Sequence, residues 1–240
     1  MPRGSSLLVA GFSVLAVLVA GAFVAGVHTA WRNQGRPAEH VRRATLLAAA
    51  GAALWMGLTG AAAAAGWLRF DPPPRTMLPL FAAVFALAFG LGLSRAGRTL
   101  AAGVPLAVLV GVQSFRFPLE LLMHRAADEA VMPVRMSFSG RNFDILTGIT
   151  AIVVAGVLAR GRGSIGLVRA WNVGGALLLA NVLAVALLSA PTPLQVFHGT
   201  PDTSWVTQAP YVWLPTVLVL AALLGHILVA RRLRMMRRAD

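Results

Sequence analysis

Two short groups of charged residues lie in the middle of a chain that is otherwise almost wholly apolar. The first is Arg116-Phe-Pro-Leu-Glu120, and the second contains Arg141, Asn142 and Asp144. Carboxylates of this kind can take up protons or bind cations, and neighbouring arginines set their charge. Because charges near the hydrocarbon of a bilayer are costly, these groups indicate either structural ion pairs or a binding site.

Each group adjoins an apolar stretch that is too short to cross a bilayer alone. Residues 99–115 would form a helix of about 25 Å, and residues 145–159 one of about 22 Å. A hydrocarbon core is about 30 Å thick. We therefore expect the charged residues to lie at, or just inside, the outer boundary of the membrane. Ion pairs between Arg116 and Glu120 and between Arg141 and Asp144 would offset the cost there.

The composition predicts the elements that position these residues. Only 12% of the residues are charged and the mean hydropathy is +0.74, whereas a soluble domain is about a quarter charged. Uncharged runs predict one all-α domain over residues 1–240, a polytopic integral membrane bundle of seven transmembrane helices. The first span is longer than the apolar core of a signal peptide, so we expect it to be retained. The predicted spans are 7–31, 44–68, 76–93, 99–120, 141–159, 170–190 and 210–230.

The basic residues predict an orientation. All 21 are arginines, and they lie mostly at the ends of apolar spans rather than in one patch, so a nucleic-acid partner is not expected. With seven spans, fourteen arginines fall on the side of the C-terminus and seven on the other side. The positive-inside rule then predicts a cell-membrane protein with its N-terminus outside and its C-terminus in the cytoplasm.

Several chemistries are absent from the sequence. The chain has no cysteine and no lysine, which excludes thiolate metal sites, cysteine nucleophiles and a retinal Schiff base. No metal-binding helix motif, phosphate-binding loop or dinucleotide fingerprint occurs. Neither a cofactor nor a metal ion is expected, and no catalytic residue is assigned. His28 and His226 fall on the same predicted side, but no other residue supports a haem between them.

Four segments resemble a group of bacterial multi-pass membrane proteins. They are Gln113–Glu120, Met136–Leu146, Ser189–Pro193 and Tyr211–Pro215, and the Arg-Asn-Phe-Asp block is the most specific part. Members carry an acidic residue where this chain has Ser139. The resemblance implies a bundle of about seven helices and no activity. It also implies that one group of residues acts together: Arg116, Glu120, Arg141, Asn142 and Asp144.

These residues predict a function in outline. We expect a binder or carrier of a small polar or ionic species, with an outward-facing site between the fourth and fifth spans. Two alternatives stay open, namely a structural or assembly protein in which the charges only pin helices, and an intramembrane enzyme acting on a lipid-linked substrate. The expected partner is the lipid bilayer, and the sequence does not determine an oligomeric state.

Overall fold

A computed structural model describes residues 4–71, 73 and 75–237. The predicted domain, residues 1–240, therefore includes a few positions outside the described residues. Helices make up 76% of the described residues, which contain no strand, and this confirms the all-α prediction. Apart from two short 3₁₀ turns, the helices of the described part are α1 (Ser6–Asn33), α2 (Ala38–Ala64), α3 (Met77–Leu93), α4 (Arg95–Gly103), α5 (Leu106–Asp128), α6 (Ile145–Ala159), α7 (Ile165–Ser189) and α8 (Leu214–Met236).

The number of helices able to cross a membrane differs from the prediction. Five helices, α1, α2, α5, α7 and α8, are long and apolar enough. The pair α3 and α4 makes a sixth only if the two are taken as one span bent by 65°. Helix α6 has 15 residues, which is shorter than the roughly 20 that a span needs. The structure thus supports a helical bundle with five or six candidate spans, not seven.

Local chemistry explains why the structure differs from the fourth predicted span, residues 99–120. Ser94 ends α3 and caps α4, since its side chain accepts a hydrogen bond from the backbone N–H of Gly97 at 3.1 Å. Pro105 then separates α4 from α5, because a proline disfavours helical geometry in the residue before it. The fourth span therefore begins at Leu106 rather than at Thr99.

Among the five candidate spans, α8 is the most buried helix and α2 is the least buried. Of the most apolar window of α8, 61% is buried inside the bundle, against 11% for α2. Helix α8 is therefore the central element, and α2 lies at the periphery. Two indole N–H groups hold α2 to α8: Trp55 donates to the carbonyl of Thr216 at 2.8 Å, and Trp213 donates to that of Met56 at 3.1 Å.

The start of α8 has an irregular backbone. Residues Leu214–Val219 form a π-helical turn that contains Pro215. Proline cannot donate a backbone hydrogen bond, so its presence favours such local departures from α-helical geometry. The bond from Trp55 ends on Thr216, inside this turn, so the irregular segment is held by a side chain of α2.

Candidate functional site

Arg116 is the centre of a buried polar cluster. It lies midway along α5 and is only 1% exposed. Its Nε donates to the Asp144 carboxylate at 2.6 Å, and its Nη1 lies 2.8 Å from Nε2 of His226. The cluster thus connects α5 with the start of α6 and with the middle of α8. Its members lie inside the bundle and are almost fully buried.

Two features of the sequence bring Arg116 and Asp144 together. The first is a 3₁₀ turn over Val112–Phe115, which tightens α5 just before Arg116. The second is Gly148 on α6, where an added Cβ would lie 2.3 Å from the backbone nitrogen of Phe117. Because Gly148 has no side chain, the backbones of α5 and α6 approach each other at the level of Arg116.

Glu120 lies one helical turn beyond Arg116 and is held by Asn142. Both Glu120 carboxylate oxygens accept from Nδ2 of Asn142, at 2.8 and 2.9 Å. Nδ2 of Asn142 also donates to the carbonyl of Met136 at 3.0 Å, and its Oδ1 accepts from the backbone N–H of Asp144 at 3.0 Å. Asn142 therefore positions both carboxylates. Four of the five predicted site residues, Arg116, Glu120, Asn142 and Asp144, are therefore buried and linked by hydrogen bonds in two pairs that meet at Asn142 and Asp144.

Arg141, the fifth predicted residue, lies outside this cluster. Its exposed guanidinium stacks over the ring of Phe197 at 4.7 Å, so the predicted pair between Arg141 and Asp144 is not formed. The reason is local: exposure alternates from residue 141 to residue 144, so that Asn142 and Asp144 face inwards while Arg141 and Phe143 face outwards. Asp144 pairs with Arg116 instead.

Two residues join the cluster that the sequence analysis did not assign to it. A guanidinium can only donate, so Nε2 of His226 accepts from Arg116. Nδ1 of His226 then carries the hydrogen that is donated to Oδ1 of Asn172 at 2.9 Å. The sequence could have indicated His226 as a site residue, because it is an ionisable side chain within an apolar span. Gly175 makes room for the ring, since a Cβ there would lie 2.7 Å from Cε1 of His226.

A small cavity adjoins the charged groups. Its volume is about 20 Å³, and Arg116, Glu120 and Asp144 line it together with apolar residues of α7 and α8. This is room for about one water molecule. Nη2 of Arg116 and Oε1 of Gln113 are among the buried polar atoms that have no hydrogen-bond partner in the described part of the chain. The cluster contains one guanidinium and two carboxylates, so its formal charges do not cancel.

The described part of the chain contains no cluster of metal-ligating side chains. No group of three or more histidine, aspartate or glutamate side chains there is arranged to hold a metal ion. His28 lies near the end of α1, where its Nδ1 is 3.3 Å from the Thr45 hydroxyl. His226 is instead a member of the buried cluster.

Comparison with known proteins identifies a family. Searches of curated proteins and of solved structures gave no match. A family model described as a domain of unknown function (DUF8737) matches residues 73–234, more than half of the chain. The match includes the whole buried cluster and leaves out the α1–α2 hairpin. An uncharacterised family agrees with the resemblance found in the sequence, and the chain belongs to this family, DUF8737.

Proposed function

We propose that the protein is a multi-pass cell-membrane protein that binds and carries a proton at its buried cluster. The proton is the small ionic species, and Glu120 is the group that takes it up. One observation carries the proposal: two buried carboxylates and a single buried guanidinium line a cavity with room for about one water molecule. The proposed orientation has the N-terminus outside and the C-terminus in the cytoplasm.

The surface of the helices supports a location in the bilayer. Large apolar side chains of α2 are mostly exposed, with Leu46 61%, Leu54 63% and Leu58 60% accessible. Contiguous apolar surface of this kind is rare on soluble monomers and is the ordinary lipid-facing surface of a transmembrane helix. Five helices also have the length and hydropathy of spans.

The charge balance of the cluster supports a proton as the bound species. Arg116 and Asp144 form a direct pair at 2.6 Å, which leaves the negative charge of Glu120 without a cation of its own. The neighbouring lining is apolar, with Leu179, Leu218 and Val219 among its residues. An unpaired ion in such surroundings is costly. One proton on Glu120 makes the cluster neutral, and the cavity leaves no room for a larger solute.

Glu120 and Glu129 make a matched test in reconstituted protein. Purified wild-type protein and the variants Glu120→Gln and Glu129→Gln would be placed in liposomes containing a pH-sensitive dye. We expect wild-type protein and Glu129→Gln to dissipate an imposed pH gradient, and Glu120→Gln to leave it intact. Glutamine keeps the shape of the side chain but cannot exchange the proton. Thermal melting would verify that all three proteins are folded.

Two results would refute the proposal. One is a wild-type proton flux no faster than that of empty liposomes. The other is a Glu120→Gln variant that conducts as wild-type protein does. A lipid-processing enzyme is less well supported, because its general base must be reached from the lipid, and Glu120 is only 1% exposed.

A structural role is the second candidate, and one observation favours it. The bonds of the cluster join four helices, since Arg116 is on α5, Asp144 begins α6, Asn172 is on α7 and His226 is on α8. If the charges only pin these helices, removing all three charges of the cluster leaves no orphan ion and the protein keeps working. The triple variant Arg116→Met/Glu120→Gln/Asp144→Leu would then complement a gene deletion in the host, whereas a proton carrier would lose that ability.

A further inference from the structure

A basic cleft at the end of the α1–α2 hairpin is separate from the buried cluster. Its volume is about 380 Å³, within the range of small-molecule sites. The polar lining consists of His28, Arg32, Arg36, Arg42 and Thr45. The hairpin turn is tight, with Gly35 at a φ of +66° and Pro37 preceding the first turn of α2. The cleft lies outside the segment that matches the family.

The charges of this cleft are uncompensated. Within residues 4–71, 73 and 75–237, no carboxylate forms an ion pair with Arg32, Arg36 or Arg42. The nearest acidic residue in the sequence is Glu39, which is exposed and does not line the cleft. The first turn of α2 also contributes, because Ala38 is at its start and free backbone N–H groups there favour anions.

The apolar residues that line the cleft indicate which kind of anion it binds. Val41 and Leu46 line the cleft beside the arginines, and Leu47 next to them is 64% exposed. A site that combines arginines with apolar side chains, next to the exposed apolar surface of α2, matches an amphiphile. A free inorganic anion would use only the arginines.

We propose that this cleft binds the phosphate headgroup of an anionic phospholipid, with an acyl chain against α2. The proposal rests on the bilayer location proposed above, and it is independent of proton binding at Glu120. The predicted orientation puts the hairpin on the cytoplasmic side, where basic clusters next to a span attract anionic lipid.

Native mass spectrometry of the full chain in neutral detergent can test this. The detergent would be doped with phosphatidylglycerol or, in a parallel arm, with phosphatidylcholine, and bound lipid would be counted as mass adducts. The test variant is Arg32→Gln/Arg36→Gln/Arg42→Gln. The matched control is Arg160→Gln/Arg162→Gln/Arg169→Gln, which removes the same charge from exposed arginines on the same predicted side of the membrane.

We expect wild-type protein to retain phosphatidylglycerol in preference to phosphatidylcholine. The cleft variant should bind phosphatidylglycerol at least ~10-fold more weakly, since each arginine near an anionic surface contributes about fivefold, and the control should bind as wild-type protein does. An equal loss in both variants, equal retention of the two lipids, or displacement of the adduct by millimolar inorganic phosphate would each overturn the proposal. The last result would identify free phosphate as the ligand. The dissipation of the pH gradient in the proton assay does not depend on any of these outcomes, so the two proposals fail separately.

Discussion

Helix α5 carries two arginine–carboxylate pairs with the same bond length in opposite surroundings. Arg116 meets Asp144, and Arg125 meets Glu129, both through Nε at 2.6 Å. The side chains of the first pair are 1% and 5% exposed, and those of the second are 58% and 18% exposed. The first pair joins two helices, whereas the second lies within one turn. The N–O distance alone therefore does not determine how much each ion pair contributes to the stability of the protein.

Exposure to water determines how much each of the two ion pairs contributes to stability. Exposed pairs are screened by water and contribute about 0–1 kcal/mol. A buried pair has already lost its hydration, so either partner left alone becomes an uncompensated ion. The buried pair also shares its surroundings with a second carboxylate, Glu120, whereas Glu129 has two donors on Ser5 in addition to Arg125. We expect the buried region to react strongly to single substitutions and the exposed region weakly.

The largest contrast should come from removing each arginine. Arg116→Met leaves Asp144 buried without a cation, which we expect to lower the free energy of unfolding by about 3–5 kcal/mol. Arg125→Met removes an exposed partner and should cost about 1 kcal/mol or less. Thermal melting of both variants in the same detergent measures the contrast. Equal shifts in the two variants would mean that burial does not set the strength of these pairs.

The second largest loss of stability should come from disturbing the backbone contact between α5 and α6 that aligns the buried pair. In Gly148→Ala, the new methyl group would meet the backbone of Phe117 at 2.3 Å, so α5 and α6 must separate. We expect a loss of about 1–3 kcal/mol, as for other overpacked positions, together with slower proton uptake in liposomes.

Gly156→Ala on the same helix is the control for this change. The added Cβ there meets only the end of the Arg160 side chain, at 3.2 Å, which can move aside. An alanine within a helix favours folding by up to about 1 kcal/mol. A control that melts lower than Gly148→Ala would contradict the close approach of α5 and α6.

Two neighbouring glycines on α7 test the position of His226. Alanine at position 175 would lie 2.7 Å from Cε1 of His226 and 2.8 Å from Cγ2 of Thr147, whereas alanine at position 174 would meet nothing within 4 Å. Only side chains have to move, so we expect Gly175→Ala to be about 1 kcal/mol less stable than Gly174→Ala. Proton uptake should also slow in the first variant alone. Identical behaviour of the two proteins would show that His226 does not depend on this space.

The sequence predicted most of the fold and part of the cluster. Long uncharged runs predict membrane helices, so α1, α2, α7 and α8 agree with their predicted spans to within six residues at each end. The cost of buried charge predicted that Arg116, Glu120 and Asp144 would be near other polar groups. These inferences need only local composition, which is why they succeed without coordinates.

The remaining features depend on contacts between distant segments. Helical periodicity does not apply to residues 137–144, so it could not reveal that Arg141 faces outwards while Asp144 faces inwards. The predicted pairing followed sequence proximity, and the observed partner of Asp144 is 28 residues away. His226 is 110 residues from Arg116 and contacts it only because α8 is central to the bundle.

The smallest expected effect concerns the exposed pair and depends on pH. The backbone N–H of Ser5, with help from Arg125 and the Ser5 hydroxyl, lowers the pKa of Glu129 to about 2, from an ordinary value of about 4.3. The ionised carboxylate therefore stabilises the folded protein above about pH 4, and this contribution is lost as the pH falls towards 2. At pH 7 we expect the free energy of unfolding of wild-type protein to exceed that of Glu129→Gln by at most about 1 kcal/mol. The difference should shrink between pH 4 and pH 2, because protonation then gives the wild-type side chain the neutral charge of glutamine. A difference that stays constant across this range would mean that the charge of the Glu129 carboxylate contributes nothing to the stability of the folded protein.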